Sequence, residues 1–255
     1  MDADLAFALD LADLADAVTL ARFGAEDLEV ERKRDTTHVT DADRAAEQVI
    51  RAAILERFPD DAIIGEEFGS EGESGRRWII DPIDGTANFL RGIPIWATLI
   101  GLERDGRVEV GVVSAPAMPR RWWAARGAGA YCDGRRLRVS EVDDLAEAQL
   151  CYADLPWWEA FGLGEQFLAL VHAVWRTRGF GDFWQHMLVA EGAADIAIEP
   201  IVNLWDLAAI QPIVEEAGGR FTALGGVATP AGGNAVSTNG RLHDEVLGYL
   251  RPAAG

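Results

Sequence analysis

One stretch, Trp78-Ile79-Ile80-Asp81-Pro82-Ile83-Asp84-Gly85-Thr86-Ala87-Asn88-Phe89, constrains the fold more than any other. Residues 78–80 form a short apolar run bounded by turn-forming residues, the pattern of a buried strand. That strand delivers Asp81 at its end. Pro82 lacks a backbone N–H, so a hydrogen-bonded ladder is not expected to continue past it. Asp84 follows three residues on, where Gly85-Thr86 opens a turn and a helix start. Two carboxylates held this close repel each other. A hard divalent cation resolves the repulsion, and an all-oxygen ligand set suits Mg²⁺. Taken alone, the same residues also read as an Asp-Gly turn preceded by a capping aspartate.

Further acidic groups sit at comparable places. Glu66 and Glu67 follow the apolar run Ala62-Ile63-Ile64-Gly65. Asp206 lies in Asn203-Leu204-Trp205-Asp206-Leu207-Ala208-Ala209, at a helix start, where a negative charge is also favoured by the helix dipole. Thr40-Asp41-Ala42-Asp43 fits a capping box opening a helix whose buried stripe is Ala46, Val49, Ile50, Ala53 and Ile54, closed by Phe58-Pro59.

The rest of the chain supplies an α/β framework. Residues 3–23 have helical spacing with Gly24 as a stop, and residues 31–39 read as a polar loop. Strands are expected at 95–102, 108–114 and 121–125, joined by short turns into an antiparallel meander. Beyond about Val142, strand-like and helical segments alternate, including a single helix over 205–217. Two closely packed parts are expected, 1–142 and 143–255, without a long linker. The tryptophan-rich middle strands suit either the core or a subunit interface.

Composition removes several classes of function. The 255 residues carry a formal net charge of -19, which repels nucleic acid and anionic lipid. Lys33 is the sole lysine, so no Schiff-base or phosphate-loop lysine is available within the fold. The apolar run 93–102 is too short to span a membrane. An acidic N-terminus and two cysteines without a CxxC pair lead to the expectation of a reducing, cytoplasmic setting. His38, His172, His186 and His243 form no i, i+4 pair, which argues against a histidine-built zinc site.

In their order along the chain, Val39–Asp43, Gly65-Glu66-Glu67, Trp78–Phe89, Trp205–Ala209 and Glu215-Glu216-Ala217-Gly218-Gly219 resemble the motifs of the inositol monophosphatase family. The resemblance spans nearly the full length. It implies an α/β (α+β) fold, a layered αβαβα sandwich, and hydrolysis of a small phosphate monoester with roughly two to three Mg²⁺ ions. It implies that Glu66, Asp81 and the Ile83 carbonyl hold one ion. Asp81, Asp84 and Asp206 would hold a second, and Glu66 would touch a third. Asp43 and Thr86 match the pair that orients and deprotonates the attacking water, with Glu66 joining them through its ion. Asp84, Gly85 and Thr86 would receive the phosphate, and the family is usually homodimeric.

Within that family, Arg178-Gly179-Phe180-Gly181-Asp182-Phe183-Trp184, Leu188-Val189-Ala190-Glu191-Gly192-Ala193, residues 88–96 and residues 120–127 resemble the actinobacterial histidinol-phosphate phosphatases. The implied substrate, L-histidinol phosphate, carries an ammonium and an imidazole. Asp182 and Glu199 would supply the matching negative charge. Asp182 equally suits a helix cap before Phe183, and inositol monophosphate or another small ester stays open as substrate.

Overall fold

Helix α1 (Ala3–Arg22) buries Leu5, Ala8, Leu11, Ala12 and Ala15 along one face, and Gly24 ends it in the left-handed region. The computed structural model to which it belongs describes residues 3–32 and 38–251. Lys33 and the centre of the expected polar loop therefore lie outside the described residues. The flanks of that loop are not loop: β1 (Val30–Arg32) and β2 (His38–Thr40) pair antiparallel. Helix α2 (Asp41–Arg57) starts on the Thr40–Asp43 capping box and stops at Phe58.

Strands β3 (Ala62–Gly65), β4 (Gly69–Glu71) and β5 (Arg76–Asp84) lead to the short helix α3 (Thr86–Leu90). The meander follows as β6 (Ala97–Arg104), β7 (Arg107–Ala115), β8 (Arg120–Ala125), β9 (Gly129–Cys132) and β10 (Arg135–Arg136). These form an eight-stranded sheet in the order β10-β9-β8-β7-β6-β5-β3-β4, antiparallel except for the β3–β5 pair. The sequence expectation ended the meander two strands early.

A second sheet begins after a single 3-10 turn. Its elements are β11 (Gln149–Tyr152), α4 (Leu155–Ala160), α5 (Gly164–Ala173), β12 (Arg176–Arg178), α6 (Asp182–Ala190), β13 (Ile196–Glu199), α7 (Leu204–Ala208), α8 (Ile210–Glu216), β14 (Arg220–Thr222), β15 (Ala235–Thr238) and α9 (His243–Tyr249). The strand order is β12-β11-β13-β15-β14, with β11 parallel to both of its neighbours.

Three apolar clusters define the layers. Helices α1 and α2 cover one face of the large sheet through Leu11, Ile50, Ile54, Trp78, Ile100 and Val112. Helices α6 and α8 fill the space between the sheets, with Phe183, Met187, Ile210 and Ile213 meeting Leu99, Val113 and Trp122. Helices α4, α5 and α9 close the outer face of the small sheet around Trp158, Phe167, Ile196 and Val246. The result is the expected αβαβα sandwich. Trp78 and Trp122 are fully buried in these cores and Trp96 in a smaller cluster with Ile83 and Phe89, so they are not available to a subunit interface.

Two expectations about element limits are corrected. Strand β5 does not end at Asp81. Asp81 pairs with Leu99 and Asp84 with Ala97, so three steps on β5 face two on β6, and the strand continues through a bulge. Pro82 occupies that bulge, where its missing N–H breaks no ladder bond, while Thr98 Oγ1 donates to the Pro82 carbonyl (2.8 Å). The helix expected over 205–217 is instead two helices meeting at Ala209. Pro212 has no N–H to give and suits only the first turn of a helix, so α8 starts anew just before it. The junction rests directly on the large sheet: a Cβ at Gly111 would lie 2.1 Å from the Ala209 carbonyl oxygen.

Candidate functional site

The β5 bulge turns two carboxylates toward one point. The Ile83 N–H donates to Asp81 Oδ1 (3.0 Å), a side-chain substitute for a ladder bond. Asp84, three residues on, accepts from the Phe183 N–H at the start of α6 (Oδ2, 2.6 Å). Asp206 enters from α7, where one oxygen closes a capping box by accepting from the Asn203 N–H (2.7 Å). One oxygen from each of Asp81, Asp84 and Asp206 lies within 4.8 Å of the others. The helix-start reading of Asp206 and the site reading are both satisfied by this one carboxylate.

Without a counter-charge this arrangement is costly. Burial pushes Asp81 and Asp84 well above the ordinary carboxylate range. The negative charge of Glu66 adds to the shift at Asp81, and that of Asp182 to the shift at Asp84. Asp206 is pushed up to about 7, again chiefly by burial, against the opposing Asn203 N–H. Buried carboxylates with few donors and several like charges are the environment a divalent cation relieves, and the all-oxygen donor set matches a hard ion. The residues present therefore fit a divalent metal.

Glu66 leaves β3 with its N–H on the Ile80 carbonyl (3.2 Å), half-buried beside the cluster and outside its tight trio. Its turn is shaped by a residue that the motifs did not mark. Glu47, fully buried on α2, accepts from the Glu67 N–H (2.7 Å) and the Phe68 N–H (3.3 Å), and pairs with Arg51 (2.7 Å). The acid-base pair at i, i+4 was visible in the sequence, but its partner backbone lies twenty residues away.

Asp43, on the same helix, divides its oxygens between two partners. Oδ2 completes the capping box with Thr40, and Oδ1 lies 3.4 Å from Thr86 Oγ1. Burial pushes Asp43 up to about 6. The Thr86 hydroxyl has a single proton, and its shorter contact is to the Ile83 carbonyl (2.9 Å). Gly85 precedes it at φ 83°, and a Cβ there would lie 3.0 Å from the Ile95 carbonyl and 3.3 Å from Asp182 Oδ2. Both the backbone conformation and the close approach demand glycine.

Asp182 does not cap α6: Gly181 is the N-cap, and no side-chain cap bond is made. Its carboxylate turns instead toward the cluster and accepts from Asn88 Nδ2 (3.2 Å). Its backbone sits at φ 51°, in the left-handed region unusual for a side-chain-bearing residue. Burial, with Glu199 and Asp206 nearby, pushes it up to about 7. Glu199 ends β13, buried, and pairs with His186. The structure thus gathers Asp43, Glu66, Asp81, Ile83, Asp84, Gly85, Thr86, Asp182, Glu199 and Asp206 around one region. The sequence offered no signal for Asn88 or His186 beyond their presence near a motif.

Comparison with known proteins agrees with this geometry. The family model described as the inositol monophosphatase family matches residues 1–253. A histidinol-phosphatase from Mycobacterium tuberculosis is 57% identical over 97% of both chains. One from Chlorobaculum parvum is 42% identical over 86% of this chain and 85% of its own. Among solved structures, the extragenic suppressor protein suhB from Bartonella henselae superposes with a TM-score of 0.91 at 29% identity, covering 99% of this chain and 100% of that one. An IMPase from Thermotoga maritima gives 0.87 at 33% identity, covering 97% and 96%. With its motifs, its layers and its carboxylate cluster in place, the chain belongs to the inositol monophosphatase family.

Proposed function

We propose that the chain is a magnesium-dependent phosphatase that hydrolyses L-histidinol phosphate to L-histidinol and inorganic phosphate. The observation that carries the phosphatase reading is the buried trio Asp81, Asp84 and Asp206, whose oxygens converge within 4.8 Å. The substrate rests on two supports: the histidinol-phosphatases at 57% and 42% identity, and the surplus of carboxylate supplied by Asp182 and Glu199 beyond the trio. A polyol phosphate does not need that surplus, whereas an ammonium and an imidazole do.

In this reading Glu66, Asp81 and the Ile83 carbonyl would hold one Mg²⁺, and Asp81, Asp84 and Asp206 would hold a second, with a third near Glu66. Bound there, the ions supply positive charge to the phosphoryl oxygens and make water acidic enough to attack near neutral pH. The chain's own groups do the rest. Asp43, raised to about 6, is ionised at neutral pH yet basic enough to accept a proton from water. Thr86 stands between Asp43 and the Ile83 carbonyl and orients that water. The N–H groups of Gly85 and Thr86, at the open start of α3, receive phosphate oxygens. Asp182 and Glu199 take the cationic end, setting the ester bond over the water. The water oxygen then bonds to phosphorus as the ester P–O bond breaks, the departing alkoxide takes a proton from a solvent water, and Asp43 returns its proton to solvent.

This activity belongs to histidine biosynthesis in the cytoplasm, and we include the homodimer of the family in the proposal. No helix among the described residues is long and apolar enough to cross a membrane. The test is phosphate release from L-histidinol phosphate and from myo-inositol 1-phosphate at saturating Mg²⁺. A clear preference for the histidinol ester is expected. Preference for the inositol ester would replace the substrate, and no release from either would remove the phosphatase reading.

A further inference from the structure

Glu199 is only 5% exposed, yet it lies close enough to Asp84, Asp182 and Asp206 to raise the pKa of each. A buried carboxylate among like charges needs a donor. His186, fully buried on α6, supplies one: its Nε2 lies 3.2 Å from Glu199 Oε2, and its Nδ1 lies 2.7 Å from Ser237 Oγ on β15. The ring N–H at Nε2 donates to the Glu199 carboxylate, and the Ser237 hydroxyl holds the ring from the other side through Nδ1. His186 also stands four residues after Asp182, so one face of α6 carries both groups.

We infer that His186, oriented by Ser237, is a positioning residue that holds Glu199 in the rotamer receiving the cationic end of the substrate. It engages one carboxylate oxygen and leaves the other for the ligand. The chain Ser237–His186–Glu199 joins β15, α6 and β13, so the specificity carboxylate is fixed by the small sheet and the helix between the sheets. This inference rests on the reading of the substrate as a cationic phosphate monoester.

The experiment compares steady-state kinetics of wild type, Ser237→Ala, His186→Ala and His186→Gln on L-histidinol phosphate and on 4-nitrophenyl phosphate, which has no cationic group. Thermal melts identify any variant that fails to fold, and Ser237→Ala, the smallest change, carries the test if the histidine variants do. For Ser237→Ala we expect KM for the histidinol ester to rise about tenfold, the worth of one lost hydrogen bond in a buried site, with kcat nearly unchanged. Constants for 4-nitrophenyl phosphate stay at wild-type values. His186→Ala shows the larger rise, and His186→Gln, which keeps an amide donor, recovers part of it. In a Glu199→Gln background, Ser237→Ala adds nothing. Equal KM shifts for both esters, or a fall in kcat alone, would overturn the positioning role. Absence of any wild-type preference for the cationic ester would instead overturn the substrate reading, and the inference with it.

Discussion

Asp43 spends one oxygen on a capping box and turns the other toward Thr86, and Asp206 both closes a capping box and offers an oxygen to the cluster. The asymmetry makes the two functions separable. In Asp206→Asn the amide oxygen still accepts from the Asn203 N–H, so α7 keeps its cap, while one charge leaves the cluster. We expect turnover to fall by about two orders of magnitude or more, since a metal-bound carboxylate contributes several kcal/mol to the transition state. Melting temperature without metal should hold or rise, because a buried repulsion is relieved. A variant with near wild-type turnover contradicts the assignment. The residue scale is also where sequence legibility was most uneven. Asp81 stood out because it directly follows an apolar run, whereas Asp84 and Asp206 taken alone read as a turn and a helix-start charge, and the resemblance of the ordered motifs to the family singled them out. His186 was not readable, because a lone histidine on an amphipathic helix carries no spacing signal and its partner Ser237 lies 51 residues away.

The same groups set a pH dependence. Asp43 at about 6, Asp182 and Asp206 at about 7, and Asp81 and Asp84 higher than ordinary carboxylates hold protons in the metal-free fold that the unfolded chain has released. The native state therefore binds more protons, and stability declines as pH rises from about 4 toward 8. His243 acts oppositely. Burial lowers it to about 4 between Thr222 and Thr238, so its contribution is present above the ordinary histidine value and is lost as pH falls. Five carboxylates outweigh one imidazole. We expect the metal-free melting temperature to drop between about pH 6 and pH 8, and saturating Mg²⁺, which replaces the protons, to flatten that drop. A metal-free melting temperature that climbs across the window would contradict the shifts.

At the element scale, the bulge of β5 and the α7–α8 break do the positioning, and both involve proline. The sequence reading marked the missing donor at Pro82 but ran one helix through Pro212, and in neither place did it show what the chain does about the gap. At Pro82 the strand bulges and continues; at Pro212 the helix restarts. Propensity marks the interruption, and the neighbouring layers decide its form. Strand β6 and the Thr98 hydroxyl hold the bulge, while the sheet beneath Ala209 holds the helix break. Gly111→Ala tests the second device. Its new Cβ would meet the Ala209 carbonyl at 2.1 Å, so the junction must lift off the sheet and carry Asp206 with it. Overpacking of this kind costs about 1–3 kcal/mol. We expect a lower melting temperature together with weaker apparent Mg²⁺ affinity. A melting temperature unchanged from wild type would show that the junction yields freely.

Across the whole molecule, the site is a seam. Asp81 and Asp84 come from the large sheet, Asp206 and Asp182 from helices between the sheets, and Glu199 from the small sheet. The core of the meander and the later alternation of strands and helices followed from the apolar runs, while the layer order was implied by the family resemblance and β9 and β10 were missed. How the layers meet did not follow, since contacts across a seam carry no local periodicity. A cation bound there would tie the large sheet to helix α7 and so stabilise the fold. At a hundredfold excess over its dissociation constant it contributes about 2.7 kcal/mol. We expect Mg²⁺ to raise the melting temperature of the wild type in one transition and to leave Asp84→Asn almost unmoved; equal shifts in the two proteins would contradict this. The most direct measurement is anomalous diffraction from crystals grown with Mn²⁺, a heavier ion with the same taste for carboxylate oxygen. Peaks are expected on the order of 2 Å from oxygens of Asp81, Asp84 and Asp206. A cluster with no peak, its carboxylates still turned inward, would contradict it.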